Sequence, residues 1–240
     1  MAHVAARRRA ARFRRGLPVS PRPDLLTIGD PGYGGYVIPA NLLRPEGVCL
    51  NAGVGTDITF DLLLIARFGC TVHAVDPVPA AADYVAAAAA REPRLVFHPV
   101  ALWDRDEELT FHAPRVDGFV SHSATDLHGT AAAFRAEARS PRSLMKEWEV
   151  PRLDLLKLSV EGAEYRIVDH VLAERLPVGV LCVEYAQPAP AERALGSVDK
   201  LISAGWQLVA AGVAPWGWKL TFVAPDAVAP GPQSRVAIAT

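Results

Sequence analysis

Gly53, Gly55 and Asp76 are the residues whose types and spacing point most directly to chemistry. The two glycines lie in Val48-Cys-Leu-Asn-Ala-Gly-Val-Gly-Thr-Asp57, where a short apolar run ends in a Gly-x-Gly turn. Asp76 closes a second apolar run about 20 residues on, the separation at which an acid can hydrogen-bond a ribose diol. Glycine lets the backbone approach a ligand closely, and open α/β sheets bind ligands outside the carboxyl ends of their strands. The set reads as a site for a nucleoside-bearing cofactor, against the plainer reading of a turn that merely joins strand to helix.

The spacing also discriminates between cofactors. A dinucleotide fingerprint has a third glycine three residues after the second, and this chain has Ile58 there. No Gly-Lys-Ser/Thr run for a phosphate cradle exists in the chain. S-adenosylmethionine fits better than NAD, and the polar Asn51 and Asp57 suit a ligand bearing an ammonium and a sulfonium. Methyl transfer to a hydroxyl needs alignment above all, and a base within reach of the departing proton helps. His122, between Ser121 and Ser123 in a long loop, is the first candidate for that base, the alternative being a polar surface histidine. His128, His98 and His73 are weaker candidates, and His73, inside a strand, reads as structural. Glu161 and Glu184 fall near the ends of two later apolar runs, where they could orient a hydroxyl, take its proton or hold a divalent metal. Their plain alternatives are a helix-start acid for Glu161 and an arginine partner for Glu184. Lys157 reads as a buried ion-pair partner, and Tyr33, with Ser121 and Ser123, as a contact for the acceptor.

The elements that must position these groups alternate. Strands are predicted at 25–28, 36–38, 47–51, 71–75, 95–99, 108–112, 153–159 and 179–185, with a closing hairpin of 206–211 and 219–223. Helices are predicted from Thr56 or Asp57, a candidate N-cap, to Phe68, through the Ala-rich run 86–90, and over 141–148, 162–172 and 191–204. Residues 113–130 read as a long loop, a kind that is often functional. Alternation of this sort gives an α/β fold in three layers, a mostly parallel sheet with helices on both faces, made mixed by the antiparallel C-terminal hairpin.

Composition bounds the rest. The 240 residues are 50% hydrophobic and carry a net charge of −1. Residues 1–16 hold six arginines and no acid, leaving −7 on the remainder. The chain divides into a basic arm and linker (1–23), one domain (24–224) and a tail (225–240). A solvated helix is the favoured reading of the arm, with nucleic acid or anionic lipid as the alternative. Nucleic acid is an unlikely partner, since Phe13 is the arm's only stacking aromatic and the domain is acidic. No stretch reads as a secretory signal or a bilayer span, so no membrane partner is expected. Cys49, Cys70 and Cys182 read as buried hydrophobes in a reduced, cytoplasmic setting. A homodimer is allowed, and no metal site is expected.

Several of these segments line up with one family. Residues 28–39, Asn51–Asp61, His73–Pro79, Phe97–Asp106, Ser121-His-Ser and Leu155-Leu-Lys-Leu-Ser-Val-Glu-Gly-Ala-Glu-Tyr165 resemble the FkbM-type methyltransferases, over about 24–224. The last stretch is the most specific, similar to a Lys-x-Asp-x-Glu-Gly-Ala-Glu signature. The resemblance implies a seven-stranded Rossmann-like class I fold and S-adenosylmethionine as methyl donor, with S-adenosylhomocysteine as product. It implies O-methylation of a small-molecule hydroxyl, on a sugar or secondary-metabolite intermediate, with N-methylation as the alternative. It places Asn51, Gly53 and Gly55 at the methionine end, Asp76 with Pro77 at the ribose, and Ala101, Leu102 and Trp103 at the adenine, with an ordinary core aromatic as the alternative for Trp103. Ser159 to Glu161 would border the methyl. Ser159 departs from the signature, which has aspartate there. A serine is no carboxylate base, so the role passes to Glu161 or the protein keeps the pocket without turnover.

Overall fold

Leu153-Asp-Leu-Leu-Lys-Leu158 is buried at every position, as expected of a strand covered on both faces by helices. Around such runs the computed structural model builds a three-layer α/β domain. It describes residues 17–116 and 118–227; the arginines of the arm and the tail from 228 lie outside the described residues. The strands are β1 (Leu25–Ile28), β2 (Tyr36–Pro39), β3 (Val48–Ala52), β4 (Thr71–Val75), β5 (Leu95–His98), β6 (Ala101–Leu102), β7 (Glu107–His112), β8 (Ala132–Arg139), β9 (Leu153–Leu158), β10 (Val178–Ala186), β11 (Gln207–Ala214) and β12 (Gly217–Val223). The helices are α1 (Thr59–Phe68), α2 (Pro79–Ala89), α3 (Pro141–Glu147), α4 (Glu164–Ala173) and α5 (Ala191–Ser203).

The main sheet has seven strands in the order β11-β12-β10-β9-β3-β4-β5. Six run in one direction, five of them paired in parallel, and β12 runs antiparallel between β10 and β11. This is a Rossmann-like, mostly parallel sheet made mixed by the C-terminal hairpin, as the alternation in the sequence predicts. Strand parity sorts the core into two layers. Leu50, Leu156, Leu181 and Leu220 pack with α4 and α5 on one face. Cys49, Leu155, Val180 and Cys182 pack with α1, α2 and the β1–β2 hairpin on the other.

Register sets where the functional groups emerge. Ala52 is level with Val75 and with Leu158, and Leu158 with Val183. The next residues, Gly53, Asp76, Ser159 and Glu184, therefore share one edge of the sheet.

Three of the differences from the predicted elements bear on the site or its loop. α1 starts at Thr59, and Asp57 accepts a hydrogen bond from the Thr59 amide (2.9 Å) instead of capping the helix from the N-cap position. Its other end is as predicted, with Gly69 left-handed at φ +70°. α4 starts at Glu164, so Glu161 is not a first-turn acid. β8 is missed by the sequence reading because Ala-Ala-Phe-Arg-Ala-Glu-Ala-Arg has helix-forming composition. Pairing with β7 and β6 in a separate three-stranded sheet overrides that preference.

Candidate active site

The glycine turn leaves β3 with Gly53 at φ +81° and Gly55 at φ +55°. A Cβ on Gly53 would collide with the carbonyl oxygen of Ser159, because the turn crosses the end of β9 in backbone contact. Asp76 holds the turn in place. Its Oδ2 accepts from the amides of Val54 (3.0 Å) and Gly55 (2.8 Å), and its Oδ1 from Val78 (2.9 Å). Burial pushes its pKa up, and the three amides pull it back. An ionised carboxylate has about four lone-pair sites, so one remains for a ligand hydroxyl. Asp76 is thus a clamp on the loop as well as a wall of the cavity beside it.

Beneath the turn runs a buried polar chain. Lys157 Nζ donates to Asn51 Oδ1 (2.9 Å) and to the Gly53 carbonyl (3.3 Å), while Asn51 Nδ2 donates to both oxygens of Asp61 (2.7 and 2.8 Å). Burial lifts Asp61 to about 6, against the pull of Lys157 and Asn51. Asn51 is therefore spent on α1 and does not line the cavity. Its side chain leaves β3 beneath the glycine turn, which is why it supports the turn from below. Lys157 is buried in β9 but forms no ion pair among the described residues; its Nζ bonds Asn51 and the Gly53 carbonyl, and the side chain reaches the cavity wall as well.

At the ends of β9 and β10 stand three glutamates. Ser159 Oγ donates to Glu184 Oε2 (3.1 Å). Glu161 sits at φ +47°, a region costly for a non-glycine residue. Burial, then the neighbouring Glu164 and Glu184, raise its pKa to about 8. Glu164, fully buried, accepts from the amides of Gly162 (2.7 Å) and Ala186 (2.8 Å), and burial lifts it to about 7. Among the described residues no three His, Cys, Asp or Glu side chains form a metal-holding group.

The loop between β7 and β8 closes over this edge. Ser123 is 2% exposed and donates to the Glu161 carbonyl (2.6 Å), which makes it a tie for the loop and removes it from the cavity wall. Ser121 and His122 do line the cavity. His122 Nδ1 lies 3.1 Å from the Val120 carbonyl. A carbonyl only accepts, so Nδ1 carries the proton in the neutral ring and Nε2 is left as the basic atom.

Trp103, expected against an adenine, is 6% exposed but faces the core. Its Nε1 donates to Glu107 (2.8 Å), and the Arg166 guanidinium lies 4.9 Å from its ring. It follows β6, which pairs with β8 and not with the main sheet, so the chain has turned away from the cavity there. Ala101, Leu102 and Pro77 remain on the wall.

The N-terminal segment covers the opposite side. Tyr33 and Gly34 line the cavity, and a Cβ on Gly34 would press on Asp57 Oδ2. Lys219, 5% exposed on β12, holds the segment: Nζ donates to the Tyr33 and Gly35 carbonyls, stands 4.6 Å from the Tyr36 ring centre and lies 3.8 Å from Glu184 Oε2. Neither Lys219 nor Glu164 was assigned a role from sequence. A lysine within an apolar strand is the one signal that could have flagged Lys219.

These walls enclose one cavity of about 690 Å³. Gly53, Gly55, Asp57, Asp76, Ser159, Glu161, Glu184 and His122 all reach it; Asn51, Trp103 and Ser123 do not.

No family model matches the chain, and no curated protein does. Solved structures resemble it at low identity. The METTL16 MTase domain aligns at TM-score 0.45 and 9% identity over 75% of this chain, which spans 60% of that one. An rRNA methylase from Streptococcus thermophilus aligns at TM-score 0.46 and 10% identity, over 77% of this chain and 90% of that one. Fibrillarin from Aeropyrum pernix, with natively bound S-adenosyl-L-methionine, aligns at TM-score 0.46 and 9% identity, over 76% and 68%.

Proposed function

We propose that this chain is an S-adenosylmethionine-dependent methyltransferase that methylates a hydroxyl of a small molecule. The observation that carries the reading is the convergence of the Gly53–Gly55 turn, Asp76 and the paired ends of β9 and β10 on one cavity. The residues present fit that cofactor. The glycine turn admits close backbone approach, Asp76 keeps an accepting site for a ribose hydroxyl, and Pro77, Ala101 and Leu102 give an apolar wall for a base. Lys157 is committed to Asn51 and the Gly53 carbonyl, so the turn offers no free cation for a pyrophosphate.

The bound cofactor would supply an electrophilic methyl group on a sulfonium, with a neutral leaving group. The chain's own residues do the remaining work. The Tyr33–Gly35 segment and the 113–131 loop exclude water and align the acceptor. His122 Nε2 or the Glu161 carboxylate takes the hydroxyl proton, and Ser159 fixes Glu184 for orienting that hydroxyl. N-methylation by the same groups is the alternative chemistry.

The likeness to FkbM-type enzymes rests on the quoted stretches, and Ser159 is its departure. Ser159 favours a second reading, a cofactor-binding protein without turnover. Calorimetric titration with S-adenosylhomocysteine beside an Asp76→Ala control tests both. Micromolar binding that the control loses supports the pocket, and absence of turnover on every hydroxylated acceptor would then favour the second reading. No binding to the unaltered protein removes the proposal.

A further inference from the structure

Buried polar atoms without partners are rare and costly, so those facing a cavity point to what the cavity takes. Among the described residues, eight side-chain nitrogen or oxygen atoms are buried without a hydrogen-bond partner. Two of these, His128 Nδ1 and Gln187 Nε2, belong to residues on the cavity wall. Gln187 follows the end of β10, and its backbone amide donates to the Trp216 carbonyl (2.8 Å), so the backbone carrying the amide side chain is tied to the β11–β12 turn that carries the indole. Trp216 in turn meets Phe119 edge to face at 5.8 Å, joining the β11–β12 turn to the 113–131 loop. Trp216, Phe119 and Tyr33 are 55%, 46% and 54% exposed and all line the cavity, so their ring faces are open to a ligand. Asp57, Asp76 and Glu184 also stand on this wall, beside Glu161 held neutral by burial, and they outnumber its two cations, the already partnered Lys157 and the exposed Arg115. An anionic acceptor would face like charge there.

We infer that Gln187 and His128 are the acceptor's hydrogen-bond partners and that Trp216 with Phe119 takes its ring face, so that the acceptor is an uncharged ring carrying hydroxyls. This rests on the methyltransferase reading for the reaction but not for the binding. An aromatic and a saturated ring share the required chemistry, a flat face with a hydrogen-bonding edge.

Saturation-transfer NMR on the full chain tests it, with catechol, methyl α-glucoside and glucose 6-phosphate as probes, each with and without S-adenosylhomocysteine. The expected result is binding of at least one of the two neutral rings and none of the phosphorylated one. Catechol alone would identify an aromatic acceptor, the glucoside alone a saturated one. Gln187→Met and Trp216→Ala should each weaken that binding about three- to tenfold, with the melting temperature and the S-adenosylhomocysteine affinity unchanged. Stronger binding of the phosphorylated probe, no binding of either neutral ring, or equal binding in both variants would overturn the inference. Loss of S-adenosylhomocysteine binding with ring binding retained would instead sink the methyltransferase reading and leave this one standing.

Discussion

Gly53 and Glu161 show how much a single position decides. Gly53→Ala must place a methyl group on the Ser159 carbonyl at a positive φ. The expected cost is roughly 3 kcal/mol, seen as a lower urea midpoint together with lost S-adenosylhomocysteine binding. Glu161 is held protonated up to about 8 by burial and two glutamate neighbours. If it takes the acceptor's proton, turnover rises with pH through that value, and Glu161→Gln removes the rise; a pH–rate profile of the two proteins decides. Stability runs the other way. The native state keeps protons on Glu161 and Glu164 that the unfolded chain releases above its ordinary value of 4.5. Their contribution is complete below 4.5 and is lost as pH climbs through about 7 and 8. Glu164→Gln should flatten that decline in urea melts taken across pH.

At the scale of elements, two contacts bind segments that the sequence keeps far apart. Lys219 ties β12 to the Tyr33–Gly35 segment and to Glu184. Lys219→Met leaves two carbonyls and a carboxylate without their cation, at an expected cost of about 3 kcal/mol. Hydrogen exchange should accelerate at residues 30–36, and Lys219→Arg should recover part of the loss. The second contact stacks His73 of β4, His98 of β5 and Trp148 after α3, with ring centres 4.0–5.2 Å apart and His73 Nδ1 3.0 Å from His98 Nε2. Burial, then His98, holds His73 at about 4, below its ordinary 6.5. The unfolded chain therefore takes the proton first. The stack's contribution is present above 6.5 and lost as pH falls toward 4. His73→Phe should blunt acid unfolding followed by tryptophan fluorescence, and an unchanged acid limb would refute the assignment.

At the scale of the molecule, charge separates the basic arm from an acidic remainder. The arm lies outside the described residues, among which the cavity wall begins at Tyr33. Removing residues 1–16 should leave S-adenosylhomocysteine affinity unaltered. Any salt-sensitive RNA binding should vanish with the arm, and none at low salt in the full chain would exclude RNA as its ligand. Among the described residues no helix is long and apolar enough to cross a membrane.

The order of strands and helices was legible because it is written in local periodicity: apolar runs ended by glycine, proline or acid, and a helix closed by Gly69. The same local code placed Gly53, Asp76, Ser159 and Glu184 at or near strand ends, and parallel register then had to bring them to one edge. It could not say which neighbouring side chains would face the cavity. Asn51 turns under the sheet to Asp61, Trp103 goes to the core behind β6, and Ser123 ties its loop to the Glu161 carbonyl. Gln187, Trp216 and Lys219 enter the site from β10, the last hairpin and β12, over separations up to 186 residues. Side-chain direction at such places depends on which strands pair and where loops close. Those contacts are long-range, so only the folded chain decides them.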